Sequence, residues 1–268
     1  MNTQKPFLRI ACALFALCIG AAIIVSTTMA DATTPGEVFL ALDSLDGLDI
    51  KAPLAKGGEP VKATAGIGTY NGRRALHMVN DDSTMNAGPA GGESLAIVRG
   101  SDFKDGAIEV ELIGMPREGS NSQSRGFIGI AFRVQGNAEK YESIYLRFTN
   151  GRSDDQLRRN HSTQYFSFPD FPWFRLRKEN PGVYESYVDV EEKTWTRLKV
   201  VVAGTKAQLY VNGASQPCLI VNDLKLGESH GGVALWAGSD TEAYFSNLRI
   251  KQAGSGQRRA SSAPVSPQ

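Results

Sequence analysis

Residues 147–177 hold the densest group of side chains in this sequence that could bind a ligand. The segment contains six arginines, no lysine and seven aromatic residues. Aromatic faces stack on the apolar face of a sugar ring, and guanidinium, amide and carboxylate groups hydrogen-bond to hydroxyls. The combination predicts a carbohydrate site, with an acidic or oxidised sugar as a candidate ligand for planar arginine forks. The candidate ligand-binding residues are Arg147, Asn150, Arg152, Asp154, Asp155, Gln156, Arg159, Asn160, Gln164, Tyr165, Trp173 and Arg175.

The same segment also has a purely structural interpretation. Its aspartates could pair with the arginines and pin a long loop over the body of the protein, with the aromatic rings as a small satellite core. The sequence leaves both interpretations open. They differ in what Trp173→Ala or Arg159→Ala would do, because a ligand site loses binding whereas a structural network loses its fold.

Two residues are candidates for acid–base catalysis. His161 has an imidazole whose unperturbed pKa lies near neutrality, which suits a general acid or base, although a hydrogen-bonding loop histidine has the same appearance. Glu185 lies beside Tyr184 in the run Tyr184–Tyr187 and would act as an acid or base if its strand faced a ligand cleft. No cluster of cysteine and histidine has metal-ligand spacing, so metal ligands stay unknown.

The elements that must position these residues are short strands. Apolar residues alternate with polar ones at Ile108, Val110 and Leu112, and residues 195–202 resemble a core strand. Tyr70–Arg73 contains Asn-Gly, which favours a two-residue hairpin. About a dozen such strands and no helical period predict an all-β sandwich or barrel. The polar stretch 116–125 is predicted to be a long hairpin loop.

The two ends of the chain differ from its middle. Residues 1–30 have a basic start, an apolar run and small residues before Asp31, which predicts a signal peptide and a periplasmic or secreted protein; an uncleaved anchor is the rival interpretation. Residues 31–251 form one predicted domain, and 252–268 a disordered tail. After cleavage the formal charge changes from +1 to −1 and Cys218 stands alone. Nothing global then indicates nucleic acid or a membrane as partner.

Several segments of the sequence resemble one family of folds. Residues 103–110 and 126–133 are similar to the opening and central strands of concanavalin A-like lectin/glucanase and laminin-G-like domains. Residues 195–213 resemble the paired strands that follow, and 231–236 with 243–250 resemble a closing hairpin. The resemblance implies a two-sheet antiparallel jelly-roll β-sandwich. The family includes lectins, glycoside hydrolases and the domain associated with 3-keto-disaccharide hydrolysis, so fold alone does not name an activity.

Three functions follow as hypotheses. The first is an exported carbohydrate-binding, lectin-like domain. The second is a glycoside hydrolase of the 3-keto-disaccharide hydrolase type, and the third is a cell-envelope interaction module without a sugar ligand. Strand-borne catalytic sites in this family show Glu-x-Asp-x-x-Glu, whereas this chain has Glu109-Val110-Glu111 followed by Gly114 at the third position. That departure favours binding over hydrolysis.

The family resemblance also raises calcium as a candidate cofactor. Calcium takes oxygen ligands from carboxylates and backbone carbonyls. The acidic pairs Asp81-Asp82 and Asp154-Asp155 are the candidate ligands.

Overall fold

The computed structural model describes residues 36–51, 63–81 and 93–254, together with Met1. The signal-peptide prediction and all but the first three residues of the predicted tail lie outside the described residues. The strands in chain order are β1 (Glu37–Leu40), β2 (Leu48–Lys51), β3 (Ala63–Tyr70), β4 (Arg73–Asn80), β5 (Ser94–Val98), β6 (Gly106–Pro116), β7 (Phe127–Gln135), β8 (Lys140–Arg147), β9 (Thr163–Phe168), β10 (Glu185–Ser186), β11 (Thr196–Ala203), β12 (Lys206–Val211), β13 (Leu219–Val221), β14 (Gly232–Ala237) and β15 (Thr241–Gln252). Two short helices are α1 (Gln156–Asn160) and α2 (Trp173–Glu179), and a 3-10 turn spans Phe148–Asn150.

These strands form two antiparallel sheets. The back sheet has the order β13-β12-β11-β6-β15-β4-β3, with β1 also paired to β15. The front sheet has the order β10-β9-β8-β7-β14-β5-β2. Chain-consecutive strands such as β4 and β5 often lie in different sheets. The fold is therefore a two-sheet antiparallel β-sandwich, as the sequence predicts.

The core lies between the sheets and is formed by alternate residues of their strands. Ile108 and Leu112 of the back sheet and Ile130 and Ile144 of the front sheet are fully buried, as is Phe245 of β15. The alternation predicted at residues 107–113 is thus that of a strand with one face in the core. A smaller cluster of Ala75, Ile113 and Tyr244 packs on the outer face of the back sheet.

One predicted turn has the geometry that its residues favour. Tyr70 pairs with Arg73 across the end of β3 and β4. Asn71 and Gly72 both have positive φ, at 48° and 76°. Two positive φ angles give the type I′ hairpin whose twist matches that of the strands. The Asn-Gly prediction is confirmed.

Two connections differ from the predictions. Residues 116–125 join β6 of the back sheet to β7 of the front sheet, so this segment crosses between sheets and is not a hairpin loop. Strands β14 and β15 also lie in different sheets and form no closing hairpin. Asp240, between them, is fully buried and accepts hydrogen bonds from Asn121 N at 3.1 Å and Arg117 Nη2 at 3.0 Å. These contacts hold the two crossovers together.

The remaining elements are short. Asp155 begins α1 by accepting hydrogen bonds from the backbone N–H groups of Leu157 and Arg158, a standard N-cap. Pro172 precedes α2. None of the helices in the described ranges is long and apolar enough to cross a membrane. The Cys218 thiol is partly buried, and burial raises its pKa to about 11, so it is a packing residue.

Candidate functional site

A cavity of about 580 Å³ opens on the face of the front sheet that points away from the back sheet. Strands β7, β8, β9 and β14 form its floor. Helix α2, the crossover before β7 and the turn after β14 form its walls. The residues that line it are Glu93, Gln123, Arg125, Phe127, Tyr145, Arg147, Asn150, Arg158, His161, Phe166, Phe168, Pro172, Trp173, Phe174, Arg177, Trp236, Gly238 and Ser239.

Strand register brings the floor residues together. Tyr145 of β8 lies opposite Gly129 of β7, and Gly129 lies opposite Trp236 of β14. In the other direction, Tyr145 pairs with Gln164 of β9, and Gln164 pairs with Glu185 of β10. Paired residues project from the same face of a sheet, so these five positions form one row.

Gly129 lets the two largest rings of this row meet. The ring centroids of Tyr145 and Trp236 are 4.7 Å apart, on either side of a residue with no side chain. A Cβ at Gly129 would lie 2.2 Å from the Ile144 carbonyl oxygen and 2.6 Å from the Tyr145 Cβ. Phe166 packs against both rings, with centroids 5.8 Å from Tyr145 and 5.6 Å from Trp236. The floor is therefore a continuous aromatic surface.

Arg147 is the buried cation of the cavity. Its Nη2 donates to the Tyr145 hydroxyl at 2.7 Å and to Gln164 Oε1 at 3.2 Å, and its Nη1 donates to the His161 carbonyl oxygen at 3.1 Å. Burial lowers the pKa of Arg147 and raises the pKa of Tyr145 to about 12. The hydroxyl thus stays protonated at neutral pH, and the guanidinium has few donors left for a ligand.

Glu185 lies behind this cation rather than in the cavity. Arg177 donates to both of its carboxylate oxygens, with Nε–Oε1 at 3.0 Å and Nη2–Oε2 at 2.6 Å. Arg147 Nη1 is 4.0 Å from Oε2. The Glu185 side chain is 2% exposed. The arrangement fits a carboxylate that neutralises two arginines and holds them in place, not one that exchanges protons with a bound ligand.

His161 lines the cavity and is held mainly through its backbone. Its carbonyl oxygen accepts from Arg147 and from Asn150 Nδ2, the latter at 3.1 Å. Its Nδ1 lies 2.8 Å from Glu185 Oε2 but is not aligned for a hydrogen bond, and it is buried without another partner among the described residues. Burial lowers the pKa of His161, and the positive charge of Arg177 lowers it further. Both effects favour the neutral imidazole.

Helix α2 carries aromatic residues over the cavity. The Arg177 guanidinium lies 4.9 Å from the centroid of the Trp173 ring, and that of Arg147 lies 5.6 Å from it. Cation–π contacts of this length favour a fixed ring orientation. Phe174 packs edge-on against Trp173 at 5.7 Å and is 44% exposed at the mouth.

Two further arginines line the cavity, and they differ from Arg147 and Arg177 in having no acidic partner among the described residues. Within the described ranges no Asp or Glu oxygen lies within 4.0 Å of the guanidinium of Arg125 or of Arg158. Arg125 donates from Nη1 to the carbonyl oxygens of Ser122 and Ser124. Arg158 makes only long contacts, of 3.3–3.5 Å, to Thr149 and Asn150. These cations lack a counter-charge in the described protein.

Many of the predicted binding residues do not reach the cavity. Arg147, Asn150, Trp173 and the catalytic candidate His161 line it, and Gln164 supports Arg147 from below. Tyr165 points to the opposite face of β9, where its hydroxyl donates to buried Glu142. The remaining predicted residues lie outside the lining: Arg152, Asp154, Asp155, Gln156, Arg159, Asn160 and Arg175.

Those outer contacts have clear partners. Arg152 pairs with Asp189, with Nε–Oδ1 at 2.8 Å. Gln156 Nε2 donates to Asn160 Oδ1 one helical turn later. Arg175 similarly pairs with Glu179. Arg159 lies over the Tyr187 ring and donates to its hydroxyl, and Asp155 caps α1. These residues fit the structural interpretation of the segment, whereas the cavity-lining ones keep the ligand interpretation open.

The sequence did not indicate several of the residues that line the cavity. Arg125, Phe127 and Trp236 lie outside the segment 147–177. Arg158 and Arg177 lie inside it but were not among the predicted binding residues. Nothing in the sequence next to each of these residues marks it as a ligand-binding residue. Only the tertiary fold brings them to one cavity.

The candidate calcium ligands have other roles or lie exposed. Asp81 is paired with Arg117 at 2.8 Å, and Asp155 is the N-cap of α1. Asp154 is exposed, and Asp82 lies outside the described residues. In the described part of the chain, no group of three or more His, Cys, Asp or Glu side chains is placed to hold a metal ion. Among the described residues, these candidate ligands are therefore not gathered into a calcium site.

The fold and the site define a two-sheet antiparallel β-sandwich with an aromatic, arginine-rich cavity on its front sheet. No protein-family model matches the sequence, and comparison with curated proteins finds no significant match.

Solved structures similar to the chain have low identity. One is the carbohydrate-binding module CBM66 from Bacillus subtilis, at 14% identity over 71% of this chain and 96% of that chain, with a TM-score of 0.46. A Bacillus subtilis protein of unknown function with a galectin-like fold has 11% identity over 76% and 98% of the two chains, with a TM-score of 0.46. The exoplasmic/lumenal domain of VIP36, in a Ca²⁺/Man3GlcNAc-bound form, has 12% identity over 78% and 92%, with a TM-score of 0.44.

Proposed function

We propose that this protein is an exported carbohydrate-binding protein that holds an acidic saccharide in the front-sheet cavity. The main observation in support of this proposal is that one cavity combines an aromatic floor with guanidinium, amide and imidazole groups around it. Apolar pockets with a few convergent polar groups are typical of small-molecule sites. The aromatic faces suit the C–H face of a pyranose, and the polar groups suit its hydroxyls.

The charge of the lining supports an acidic ligand. Four arginines face the cavity: Arg125, Arg147, Arg158 and Arg177. Glu93 is the single carboxylate among the lining residues that are described, and Glu185 lies behind Arg177. The excess of positive charge favours a ligand that brings a carboxylate or another anionic group.

Binding is favoured over hydrolysis because of the carboxylates. Most glycoside hydrolases place two carboxyl groups about 5–9.5 Å apart around the scissile bond. Glu93 has no second carboxylate beside it in the described lining, and Glu185 is held by Arg177. Export forms part of the proposal and rests on the apolar run near the start of the sequence. N-terminal sequencing of protein recovered from outside the cytoplasm would start at Asp31 if it is right.

The test is a glycan-binding screen of the full chain against neutral, acidic and oxidised oligosaccharides. We expect saturable binding to one acidic class. Trp173→Ala should weaken it roughly tenfold because an aromatic contact to the ligand and the support of Arg177 are both lost. The matched control is Tyr187→Ala, which removes an exposed ring outside the cavity.

Three results would contradict the proposal. If the folded protein binds none of the saccharides, the sugars tested are excluded as its ligands. Equal effects of Trp173→Ala and Tyr187→Ala on affinity, with unchanged melting temperatures, would place binding elsewhere. Release of shorter products from a bound oligosaccharide would replace binding with hydrolysis.

A further inference from the structure

The four cavity arginines fall into two classes. Arg147 and Arg177 are charge-balanced, since they share the Glu185 carboxylate and donate several of their hydrogen bonds to protein groups. Arg125 and Arg158 face the same cavity without a carboxylate in reach, as far as the structure describes the chain. Arg147 and Arg177 therefore hold other side chains of the site in place, whereas the positive charges of Arg125 and Arg158 can interact with an anionic ligand.

The two unpaired guanidiniums are close enough to repel each other. Burial lowers the pKa of Arg125, and the positive charges of Arg158 and Arg147 lower it further. Like charges held near one another in a partly buried position are unfavourable unless an anion lies between them. The free protein therefore carries an electrostatic cost that an anionic ligand group would remove.

The donors of these residues are also available. Within the described residues nothing accepts a hydrogen bond from Arg158 Nη1, and the contacts of Nη2 and Nε are 3.3–3.5 Å long. Arg125 uses Nη1 for two carbonyl oxygens, at 2.6 and 2.8 Å, and its Nη2 makes one 3.4 Å contact to Gln123. Its Nε has no partner among these contacts. Each guanidinium can turn an edge toward a carboxylate.

We infer that Arg125 and Arg158 form the anion subsite of the cavity and bind the carboxylate of a uronic acid residue whose ring lies on the aromatic floor. The inference rests on the proposed saccharide binding and assigns the part of the cavity that selects the acidic sugar. Arg147 and Arg177 are positioning residues in this assignment. They hold Tyr145 and Trp173, which contact the ring.

The experiment compares acidic probes with the same probes after carboxyl reduction. Oligogalacturonate, oligomannuronate and oligoglucuronate are each titrated calorimetrically into the full chain beside their carboxyl-reduced, neutral forms. The variants are Arg125→Gln and Arg158→Gln. The control is Arg175→Gln, because Arg175 is exposed, paired with Glu179 and outside the lining.

We expect at least one acidic probe to bind more tightly than its reduced form. Each of Arg125→Gln and Arg158→Gln should weaken that acidic probe roughly ten- to a hundredfold, the effect of losing a hydrogen bond to a charged group. Both should change the affinity for the reduced form by less than about threefold, and Arg175→Gln should change neither. Melting temperatures check folding, and Arg158→Lys, which keeps the charge but loses the fork, should fall between wild type and Arg158→Gln.

The outcomes separate the subsite from the binding function. If acidic and reduced probes bind equally well, or if the Gln variants weaken both alike, the subsite assignment fails while saccharide binding stands. If the acidic preference survives in both Gln variants, the anion lies elsewhere in the cavity. If no probe of either kind binds a folded protein, the proposed function fails for these sugars and the assignment fails with it.

Discussion

Glu185 shows how one buried carboxylate organises the site. It binds Arg177 through both oxygens, approaches Arg147 and lies beside the His161 ring. Its sequence context, beside two tyrosines, indicated a possible acid or base. Its burial instead makes it the counter-charge that allows two arginines to remain in an aromatic environment.

Removing that counter-charge should destabilise the protein. We expect Glu185→Gln to lower the free energy of unfolding by about 3 kcal/mol, since a nearly buried guanidinium loses its ionic partner. Urea unfolding measures the change. Glu179→Gln is the control, because Glu179 pairs with Arg175 at the surface and should cost less than about 1 kcal/mol. Equal stability of the two variants would show that the Glu185 pair is solvated.

His161 should make stability depend on pH. Burial and the charge of Arg177 lower its pKa in the folded state, while Glu185 acts in the opposite direction. The folded state therefore binds this proton more weakly than the unfolded chain, whose histidine pKa is about 6.5. The contribution of His161 to stability is complete above about pH 6.5 and is lost as the pH falls from there to the lower folded-state pKa.

The measurement is urea unfolding of wild type and His161→Gln across that range. We expect the stability of wild type, relative to the variant, to fall as the pH decreases. Curves that run parallel at all pH values would show that the histidine pKa is the same in both states.

At the scale of elements, the cavity depends on how closely β7, β8 and β14 approach. Gly129 in the middle of β7 permits the contact between Tyr145 and Trp236. Helix α2 contributes only seven residues, but its Trp173 and Arg177 close one wall. A rigid sheet supplies the floor, and short helices supply the rim.

Gly129→Ala tests this packing. The added methyl group would meet backbone and Cβ atoms of β8 at 2.2–2.6 Å, so the strands must shift. We expect a loss of about 1–3 kcal/mol in unfolding free energy and a change in near-ultraviolet circular dichroism from the aromatic floor. Gly66→Ala on β3 is the control, because its Cβ would meet nothing within 4 Å. A Gly129→Ala variant as stable as this control would show that the floor is loosely packed.

At the scale of the whole molecule, Arg133 links the two sheets at one end. It is fully buried in β7 of the front sheet. Its guanidinium donates to the carbonyl oxygens of Lys104 before β6, Gly204 between β11 and β12, and Gly227 before β14. One side chain thus connects three turns that are distant in sequence.

Replacing this planar group should weaken the sandwich as a whole. Arg133→Lys presents one ammonium where the guanidinium served three carbonyl oxygens, so we expect a loss of about 3 kcal/mol and a lower thermal midpoint. Arg99→Lys is the matched control, since Arg99 pairs with Asp49 at an exposed position. A thermal midpoint unchanged from wild type would mean that water replaces the lost contacts.

The sequence by itself determined the local features of this protein. Alternating apolar residues at 107–113 define a strand, and Asn71-Gly72 defines a turn, because both depend on neighbours in the chain. The segment 147–177, which the sequence singles out by its arginine and aromatic residues, supplies much of the cavity wall. The all-β class followed from many such local signals together, and the two-sheet sandwich from the family resemblance.

The tertiary structure decided which side chains face the cavity. Tyr145 and Tyr165 have similar local sequences, yet Tyr145 lies on the floor and Tyr165 points to buried Glu142. Arg125, in the crossover before β7, and Trp236 of β14 join the site from parts of the chain outside segment 147–177. A shift of one residue in strand register reverses the face of every side chain, and register is set by packing between distant strands. The composition of the cavity therefore depends on contacts that no single stretch of sequence contains.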